Sequence, residues 1–136
     1  MSSTKLLLVI CVTAISLFQI PNSKANALPA YTVTGPNATY TNNGTLNGEQ
    51  IGIYSDTANN SITNDGTVNA GASDYSGSAY GIDSNGDSND LTNSDTIATT
   101  AGDNGMAFGI NSVGDSNNIL NFSKVTSTTG INGRAW

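Results

Sequence analysis

The chain has 136 residues, ten acidic and four basic, and charged residues make up only 10% of it, whereas about a quarter of an ordinary globular protein is charged. The absence of histidine excludes histidine-dependent catalytic triads and histidine metal sites. β-Branched and aromatic residues recur at regular intervals, which favours a folded chain over a disordered one.

Residues 1–27 have the features of a secretory leader. Lys5 provides a short positive start, residues 6–20 form an apolar stretch, and residues 25–27 fit the small-residue cleavage pattern. A retained membrane anchor fits less well, because three polar residues interrupt a stretch that is short for a spanning helix. A lipoprotein signal at Cys11 also fits less well, because bulky Ile10 precedes the cysteine. We therefore expect an exported protein at the cell surface or outer membrane, or outside the cell.

Cleavage after Ala27 changes the chemistry of the chain. Cys11 leaves with the leader, so the mature chain has no disulfide although it enters an oxidising compartment, and it has no thiol for catalysis or zinc binding. It keeps two basic and ten acidic residues, a net charge of −8. Such an acidic surface repels phosphate backbones, so nucleic acid is not expected as a partner.

Three consecutive segments, residues 52–80, 81–108 and 109–136, align with one another and have lengths of 29, 28 and 28 residues. Each opens on Gly-Ile, closes on Gly-x-Ala-aromatic, and carries between them an aliphatic residue, an asparagine two positions later and a β-branched residue four positions after that. The matching sets are Ile62, Leu91 and Ile119; Asn64, Asn93 and Asn121; Val68, Ile97 and Val125; and Tyr80, Phe108 and Trp136. Residues 28–51 hold a shorter partial copy, in which Tyr40, Asn42 and Leu46 keep this spacing, and are expected to form the N-terminal cap of a stack.

The spacing within each unit is typical of β-strands. Tyr80 and Ile82 are two positions apart, as are Phe108 and Ile110, which predicts that each pair lies on one face of a strand. Short runs of this kind are separated by Gly, Asn, Asp and Ser, and no apolar spacing of helical type occurs after the leader. The pattern predicts an all-β chain that winds into a parallel β-solenoid of about 28-residue repeats. In such a solenoid, equivalent side chains of successive coils form ladders with a spacing of about 4.8 Å.

The three predicted ladders are aliphatic (Ile62, Leu91, Ile119), aromatic (Tyr80, Phe108, Trp136) and made of asparagine (Asn64, Asn93, Asn121). An inward asparagine whose amide is unpaired would cost about 1–3 kcal/mol. Stacked amides can avoid that cost by bonding to each other and to the backbone of the following turn. The alternative is that these asparagines cap turns at the surface.

The repeats resemble the passenger regions of bacterial autotransporters. The resemblance lies in units such as residues 81–89, followed by Leu91-Thr92-Asn93 and Thr96-Ile97, and it extends over residues 37–136. It implies a right-handed β-helix that crosses the outer membrane through a C-terminal β-barrel. The mature chain has no region of the kind such a barrel needs, and it stops at Trp136, where the earlier copies continue with Gly-Ile. This departure predicts an N-terminal fragment that lacks the barrel.

Acidic side chains give few candidates for chemistry. Asp83, Asp87 and Asp90 are the densest carboxylates, and a carboxylate pair can hydrolyse glycosides, but turn formation in a loop with Gly and Asn is the simpler explanation. The calcium candidates are Asp87, Asp90 and Asp115, the last with Asn117 and Asn118, although their spacing matches neither an EF-hand nor the nine-residue glycine-rich repeat of calcium-binding β-rolls. Residues 102–105 are predicted to form a turn. We expect no catalytic residue, no metal and no cofactor.

Exposed hydroxyl groups are a further weak candidate. The strand faces are expected to expose Thr96, Thr99, Thr126 and Thr128, and regular hydroxyl arrays can bind ice or carbohydrate, but these positions do not form a clean Thr-x-Thr pattern.

Three functions are compatible with these features. The first is a non-enzymatic structural or adhesive passenger that contacts an unknown host or cell-surface ligand. The second is a fragment of a secreted solenoid enzyme that acts on polysaccharide, which would need Asp83 or Asp87. The third is a fibre-forming surface subunit that self-associates through the solenoid ends, although Gln50 is the only glutamine left after cleavage.

Overall fold

The computed structural model describes residues 29–136, so the predicted leader at residues 1–27 lies outside the described residues. Within residues 29–136 the chain forms thirteen β-strands and no helix. The strands are β1 (Tyr31–Val33), β2 (Thr39–Asn42), β3 (Thr45–Gly48), β4 (Ile51–Ser55), β5 (Ser61–Asn64), β6 (Thr67–Ala72), β7 (Ser78–Asn85), β8 (Asp90–Asn93), β9 (Ile97–Ala101), β10 (Met106–Val113), β11 (Asn118–Asn121), β12 (Val125–Thr129) and β13 (Arg134–Ala135). The predicted all-β fold class is confirmed.

Three parallel sheets form the sides of a β-solenoid. Sheet A has the order β1-β4-β7-β10-β13, sheet B has β11-β8-β5-β2, and sheet C has β12-β9-β6-β3. Each group of three consecutive strands therefore makes one coil, and every strand pairs with its equivalent in the next coil. The pairing of Ile62 with Leu91 and of Leu91 with Ile119 reproduces the repeat lengths of 29 and 28 residues. The predicted solenoid is confirmed.

The core is a column of aliphatic side chains inside the coils. Each sheet contributes one large inward aliphatic residue per coil to this column, and the fully buried members are Ile53 and Ile82 from sheet A, Ile62 and Leu91 from sheet B, and Val68 and Ile97 from sheet C. One coil alone could not shield these groups from water, whereas stacking buries each one between its neighbours above and below. Full burial of such a side chain contributes about 1.5–3 kcal/mol.

A glycine bends each long strand of sheet A. Gly81 and Ile82 are both buried, and the pairing of β7 with β10 skips Gly81 and its equivalent Gly109. A Cβ atom at Gly81 would lie 2.3 Å from Ile97 Cγ2, so this position faces the core and has no room for a side chain. Two consecutive residues therefore face inward, and the alternation of faces is reset at the bend.

The bend makes one prediction wrong. Tyr80 and Ile82 do not lie on one face, because Ala79 is fully buried, Tyr80 is half-buried and Ile82 is fully buried. Phe108 and Ile110 lie in register with Tyr80 and Ile82 in the next coil. The aromatic residues therefore lie on the outer side of sheet A, and period-two spacing fails because the glycine between them turns the strand.

The first coil is shorter than the others at a single place. Gly48 and Ile51 are three positions apart in the sequence, whereas their partners Ala70 and Tyr80 are ten positions apart. The longer turn of the later coils encloses a second core made only of alanines, namely Ala72, Ala79, Ala101 and Ala107. The shortening that the repeat alignment places in the first coil is therefore confined to its third turn.

Candidate functional site

The asparagines common to the repeats form one continuous chain of hydrogen bonds, here called the asparagine ladder. The Nδ2 atom of Asn42 donates to Oδ1 of Asn64 at 2.7 Å, Asn64 donates to Asn93 at 2.8 Å, and Asn93 donates to Asn121 at 2.8 Å. Asn64 and Asn93 are fully buried. Nδ2 of Asn64 also donates to the carbonyl oxygen of Thr96, with an N···O distance of 3.3 Å. The inward arrangement therefore holds, and its amides are paired.

A second asparagine column, Asn60, Asn89 and Asn117, was not predicted from the sequence. The side-chain oxygen of Asn89 accepts from the backbone N–H of Asn60 at 2.8 Å, and that of Asn117 accepts from Asn89 in the same way at 2.8 Å. Its signal was present, because each of these residues lies two positions before the aliphatic residue of its repeat. Period-two spacing places it on the same inward face as the asparagine ladder.

The aromatic residues of the repeats stack along the outer side of sheet A. The ring centroids of Tyr80 and Phe108 are 5.1 Å apart and those of Phe108 and Trp136 are 4.7 Å apart, with the planes within 5° of parallel. The rings follow the coil spacing of the parallel sheet, so the stack is a direct consequence of strand register. Trp136, at the end of the stack, is 57% exposed.

The two ends of the solenoid differ. At the N-terminal face, the first coil places Tyr31 in register with Ile53 and Tyr40 in register with Ile62, and the two rings stack at a centroid distance of 3.7 Å. These rings cover the end of the aliphatic column. The ring pair lies within residues 28–51, for which the sequence predicts an N-terminal cap.

In the last coil that the structure describes, the aliphatic column is partly exposed. The last inward residue of sheet B, Ile119, is 46% exposed although it pairs with fully buried Leu91. Asn121 is exposed as well, whereas its ladder neighbours are buried. Oγ of Ser112 and Nδ2 of Asn117 are buried and lack a hydrogen-bond partner among the described residues. The equivalent Ser84 and Asn89 bond to each other at 3.0 Å.

The candidate catalytic carboxylates lie in three different structural settings. Asp83 belongs to β7 and is 9% exposed, and its Oδ1 accepts from Nδ2 of Asn111 at 2.8 Å. Asp90 begins β8 on the outer face of sheet B, and only Asp87 lies in the turn between them. The expectation that all three lie in one loop is therefore wrong for Asp83 and Asp90, because the strands extend further than the runs of apolar residues.

The calcium candidates do not converge on one point of the turn. Oδ1 of Asp87 accepts from the backbone N–H of Asp115 in the next coil at 2.8 Å, so this side chain links two coils. Oδ1 of Asn117 is taken by the backbone of Asn89, and Asn118 lies in β11, paired with Asp90. Within residues 29–136 no group of three or more Asp, Glu, His or Cys side chains could hold a metal ion.

Turn 102–105 carries the same kind of link between coils. The N–H of Gly105 donates to the carbonyl oxygen of Gly102 at 3.1 Å, and Asn104 has a positive φ of 55°, as a tight turn requires. Oδ1 of Asp103 accepts from the N–H of Ile131, one coil further on, at 2.7 Å. The turn carboxylates thus stabilise the stacking of successive turns.

The expected row of exposed threonines is only partly exposed. Thr99 is 1% exposed and faces inward, where its hydroxyl donates to Oγ of Ser127 at 2.9 Å, so the expectation is wrong for this residue. Thr128 is exposed, and Thr96 and Thr126 are half-buried. The alternation along β9 puts Thr99 on the same face as Ile97, which is why the hydroxyl lies inside.

No family model, no curated protein and no solved structure matches this chain. In the part of the chain that the structure describes, no helix is long and apolar enough to cross a bilayer.

Proposed function

We propose that the chain is an exported, non-enzymatic scaffold of the autotransporter-passenger type, displayed on a bacterial surface or released from it, with an adhesive role. The observation that carries the proposal is that residues inside the coil repeat more closely than residues outside it. Inward positions repeat a fixed set of aliphatic and asparagine side chains, whereas the third turn of the coil differs in sequence from one coil to the next.

The turns supply the variable contacts. Asp74-Tyr75-Ser76, Asp103-Asn104 and Ile131-Asn132 occupy the third turn of successive coils, and all are exposed. Tyr75 is 73% exposed and Ile131 is 72% exposed, so both present apolar surface at these turns. Exposed aromatic residues on a rigid scaffold contribute large contact area at low cost in conformational entropy.

The acidic composition is compatible with this role. The described chain carries ten carboxylates and two basic side chains, and net charge far from zero keeps extracellular proteins soluble. An enzyme acting on polysaccharide would need two cooperating carboxylates facing a common space. Asp83 is instead hydrogen-bonded to Asn111 in sheet A, and Asp90 lies on sheet B, so we favour the scaffold over the enzyme.

Export can be tested in a Gram-negative host that expresses the full chain with an epitope inserted between Ser73 and Asp74, in the exposed turn. We expect mass spectrometry to show a mature N-terminus at Leu28, and protease added to intact cells or medium to digest the epitope. The matched control is Leu8→Arg, which places a charge in the apolar stretch and should leave the leader uncleaved. Retention of uncleaved wild-type chain in the cytoplasm would overturn the proposal.

Adhesion can be tested with fluorescent beads coated with the purified chain and applied to cultured epithelial cells and to immobilised matrix glycoproteins. We expect attachment above that of albumin-coated beads, and a reduction of at least about fivefold for Tyr75→Ser together with Ile131→Ser if the third turns make the contact. Ser73→Ala is a control in the same turn. Release of reducing sugar from a polysaccharide panel, lost in Asp83→Asn, would instead support the enzyme.

A further inference from the structure

A groove runs along the outer side of sheet A, parallel to the axis of the solenoid. Gly52, Gly81 and Gly109 stand at the same place in three successive coils, and a Cβ atom on any of them would clash with a side chain of sheet C. Strands β4, β7 and β10 are therefore drawn in toward sheet C at these glycines, which leaves a recess on the outer side of sheet A. The recess crosses three coils, and at about 4.8 Å per coil its length is about 10 Å.

The two walls of the groove differ in chemistry. Each wall is a row of outward side chains that stay in register across the three coils. The apolar row consists of Ile51, Tyr80 and Phe108, and the polar row consists of Tyr54, Asp83 and Asn111. A groove with one apolar wall and one hydrogen-bonding wall suits a ligand that carries both kinds of surface.

Asp83 is buried although it faces away from the core. Its neighbours in β7, Ile82 and Ser84, are fully buried inside the coil, so alternation places Asp83 on the outer side. Asp83 is nevertheless only 9% exposed, which places its carboxylate inside the groove. Oδ1 accepts from Nδ2 of Asn111 at 2.8 Å and from Nδ2 of Asn85 at 3.4 Å, whereas Oδ2 has no hydrogen-bond partner among the described residues.

No basic side chain of residues 29–136 stands beside this carboxylate. Lys124 comes just before β12 of sheet C, and Arg134 lies in β13, paired with Met106 beyond the apolar row. The two groups that bond Asp83 are neutral amides. A buried charge without an opposite charge is costly, so the groove favours a ligand that brings a cation.

We infer that the groove binds a sugar chain with free amino groups, of the glucosamine type. The ammonium group lies against Oδ2 of Asp83, where a charge-assisted hydrogen bond supplies the missing partner. The amides of Asn85 and Asn111 and the phenol of Tyr54 bond the sugar hydroxyls, and the C–H surface of the sugar rings covers the apolar row. Asp56, exposed in the column of Asn85, adds negative charge that attracts the same ligand.

The polar groups of the walls favour a sugar over a basic peptide. The one buried carboxylate pairs with one ammonium group, and the remaining polar groups of the two rows are neutral, as sugar hydroxyls require. A lysine-rich peptide brings several cations and no hydroxyls. The groove is separate from the third turns, so this site goes beyond the adhesive contact proposed above.

Calorimetric titration of the purified chain with a glucosamine tetramer tests the site, at about pH 5.5, where carboxylates are ionised and sugar amines are protonated. The N-acetylglucosamine tetramer is the matched probe, because acetylation removes the positive charge and keeps the sugar backbone. We expect the acetylated tetramer to bind about tenfold more weakly.

Two variants assign the charge to one residue. Asp83→Asn keeps the shape of the side chain and should weaken binding of the glucosamine tetramer about tenfold. Asp90→Asn removes the same charge from an exposed residue of sheet B and should bind like the wild type. Circular dichroism and urea unfolding check the fold of each variant, and the comparison of the two tetramers needs no variant at all.

Tetralysine distinguishes an amino-sugar site from a general cation site, and we expect it to bind about tenfold more weakly than the glucosamine tetramer. The groove is not an amino-sugar site if neither sugar binds, if both sugars bind equally, or if tetralysine binds as well as the sugar. Equal effects of Asp83→Asn and Asp90→Asn would place the binding elsewhere. The titration uses purified chain, so failed export or failed attachment of coated beads leaves its result unaffected.

Discussion

The side-chain amide of Asn64 donates to the side-chain oxygen of Asn93 at 2.8 Å, and both residues are completely buried. A buried amide without partners would cost about 1–3 kcal/mol, so the pair is favourable only because each member is bonded again to the next coil. The asparagine ladder therefore requires neighbouring coils to be in the same register, and a slip of one residue would leave its amides unpaired.

Replacing Asn93 should be costly because it stands in the middle of the ladder. Asn93→Ala removes the acceptor of Asn64 and the donor to Asn121, and it leaves a buried donor unsatisfied. We expect the free energy of unfolding to fall by about 2–4 kcal/mol. Urea denaturation at one fixed protein concentration measures this loss.

Asn69→Ala is the matched control for this loss. Nδ2 of Asn69 donates to Oδ1 of Asn47 at 2.9 Å across the same coil interface, but this pair is exposed to solvent. Its removal should change the free energy of unfolding by less than about 0.5 kcal/mol. Equal losses for Asn93 and Asn69 would contradict the view that burial gives the asparagine ladder its importance.

Much of this architecture follows from the repeat alone. The equivalent positions of Ile62, Leu91 and Ile119 in the aligned repeats predict that they stand in one column, since a parallel coil repeats every side chain at the same place. The burial of each member is a different matter. Ile119 is half-exposed because burial depends on what lies beyond it, and spacing along the chain carries no such information.

The bends and the turn carboxylates are harder to predict. Tyr80 and Ile82 lie on different faces of the strand because the backbone bends at Gly81, which packs against Ile97 and the carbonyl oxygen of Gly109. Both neighbours are distant from Gly81 in the sequence. The side chain of Asp87 bonds the backbone of the next coil, although an aspartate in a turn usually bonds its own. Both features depend on tertiary contacts, whereas the column positions depend only on strand periodicity.

Gly81→Ala tests the bend. The added Cβ would lie 2.3 Å from Ile97 Cγ2 and 2.5 Å from the carbonyl oxygen of Gly109, so the methyl group overpacks the core. We expect a loss of about 2–3 kcal/mol in the free energy of unfolding. At Gly71, in β6, the nearest atom would be 3.9 Å away, so Gly71→Ala should be neutral or slightly stabilising in the same urea titration. A neutral Gly81→Ala would contradict the close approach.

The tyrosine pair at the N-terminal face should make stability depend on alkaline pH. Burial raises the pKa of the Tyr40 phenol above its ordinary value of 10.0, and the neighbouring Tyr31 phenol raises the pKa further. The unfolded chain then loses this proton at a lower pH than the folded chain. The free energy of unfolding is therefore highest below pH 10.0 and falls as the pH rises from there through the folded pKa of Tyr40.

Tyr40→Phe removes the ionising group and keeps the ring, so it should flatten this part of the pH dependence. Tyr31→Phe removes only the second cause, so the pKa of Tyr40 should move part of the way back, and a smaller part of the slope should be lost. Urea midpoints below and above pH 10.0 measure the slope, and tyrosinate absorbance follows the ionisation. A wild-type stability that rises across this range would contradict the predicted sign.

The aromatic stack should contribute to stability although it lies on the outer side of the sheet. Phe108 stacks on Tyr80 at 5.1 Å and on Trp136 at 4.7 Å, so Phe108→Ala breaks both contacts of the central ring. Aromatic pairs contribute about 0.5–1.5 kcal/mol each beyond the area they bury, and we expect a total loss of about 2–3 kcal/mol. Trp136 is the only tryptophan, so its emission should shift to the red as its ring loses its neighbour.

Tyr75→Ala removes an aromatic ring that is 73% exposed, and it should alter neither the emission nor the urea midpoint. An unchanged Trp136 emission in Phe108→Ala would show that the stack does not hold the C-terminal end in place.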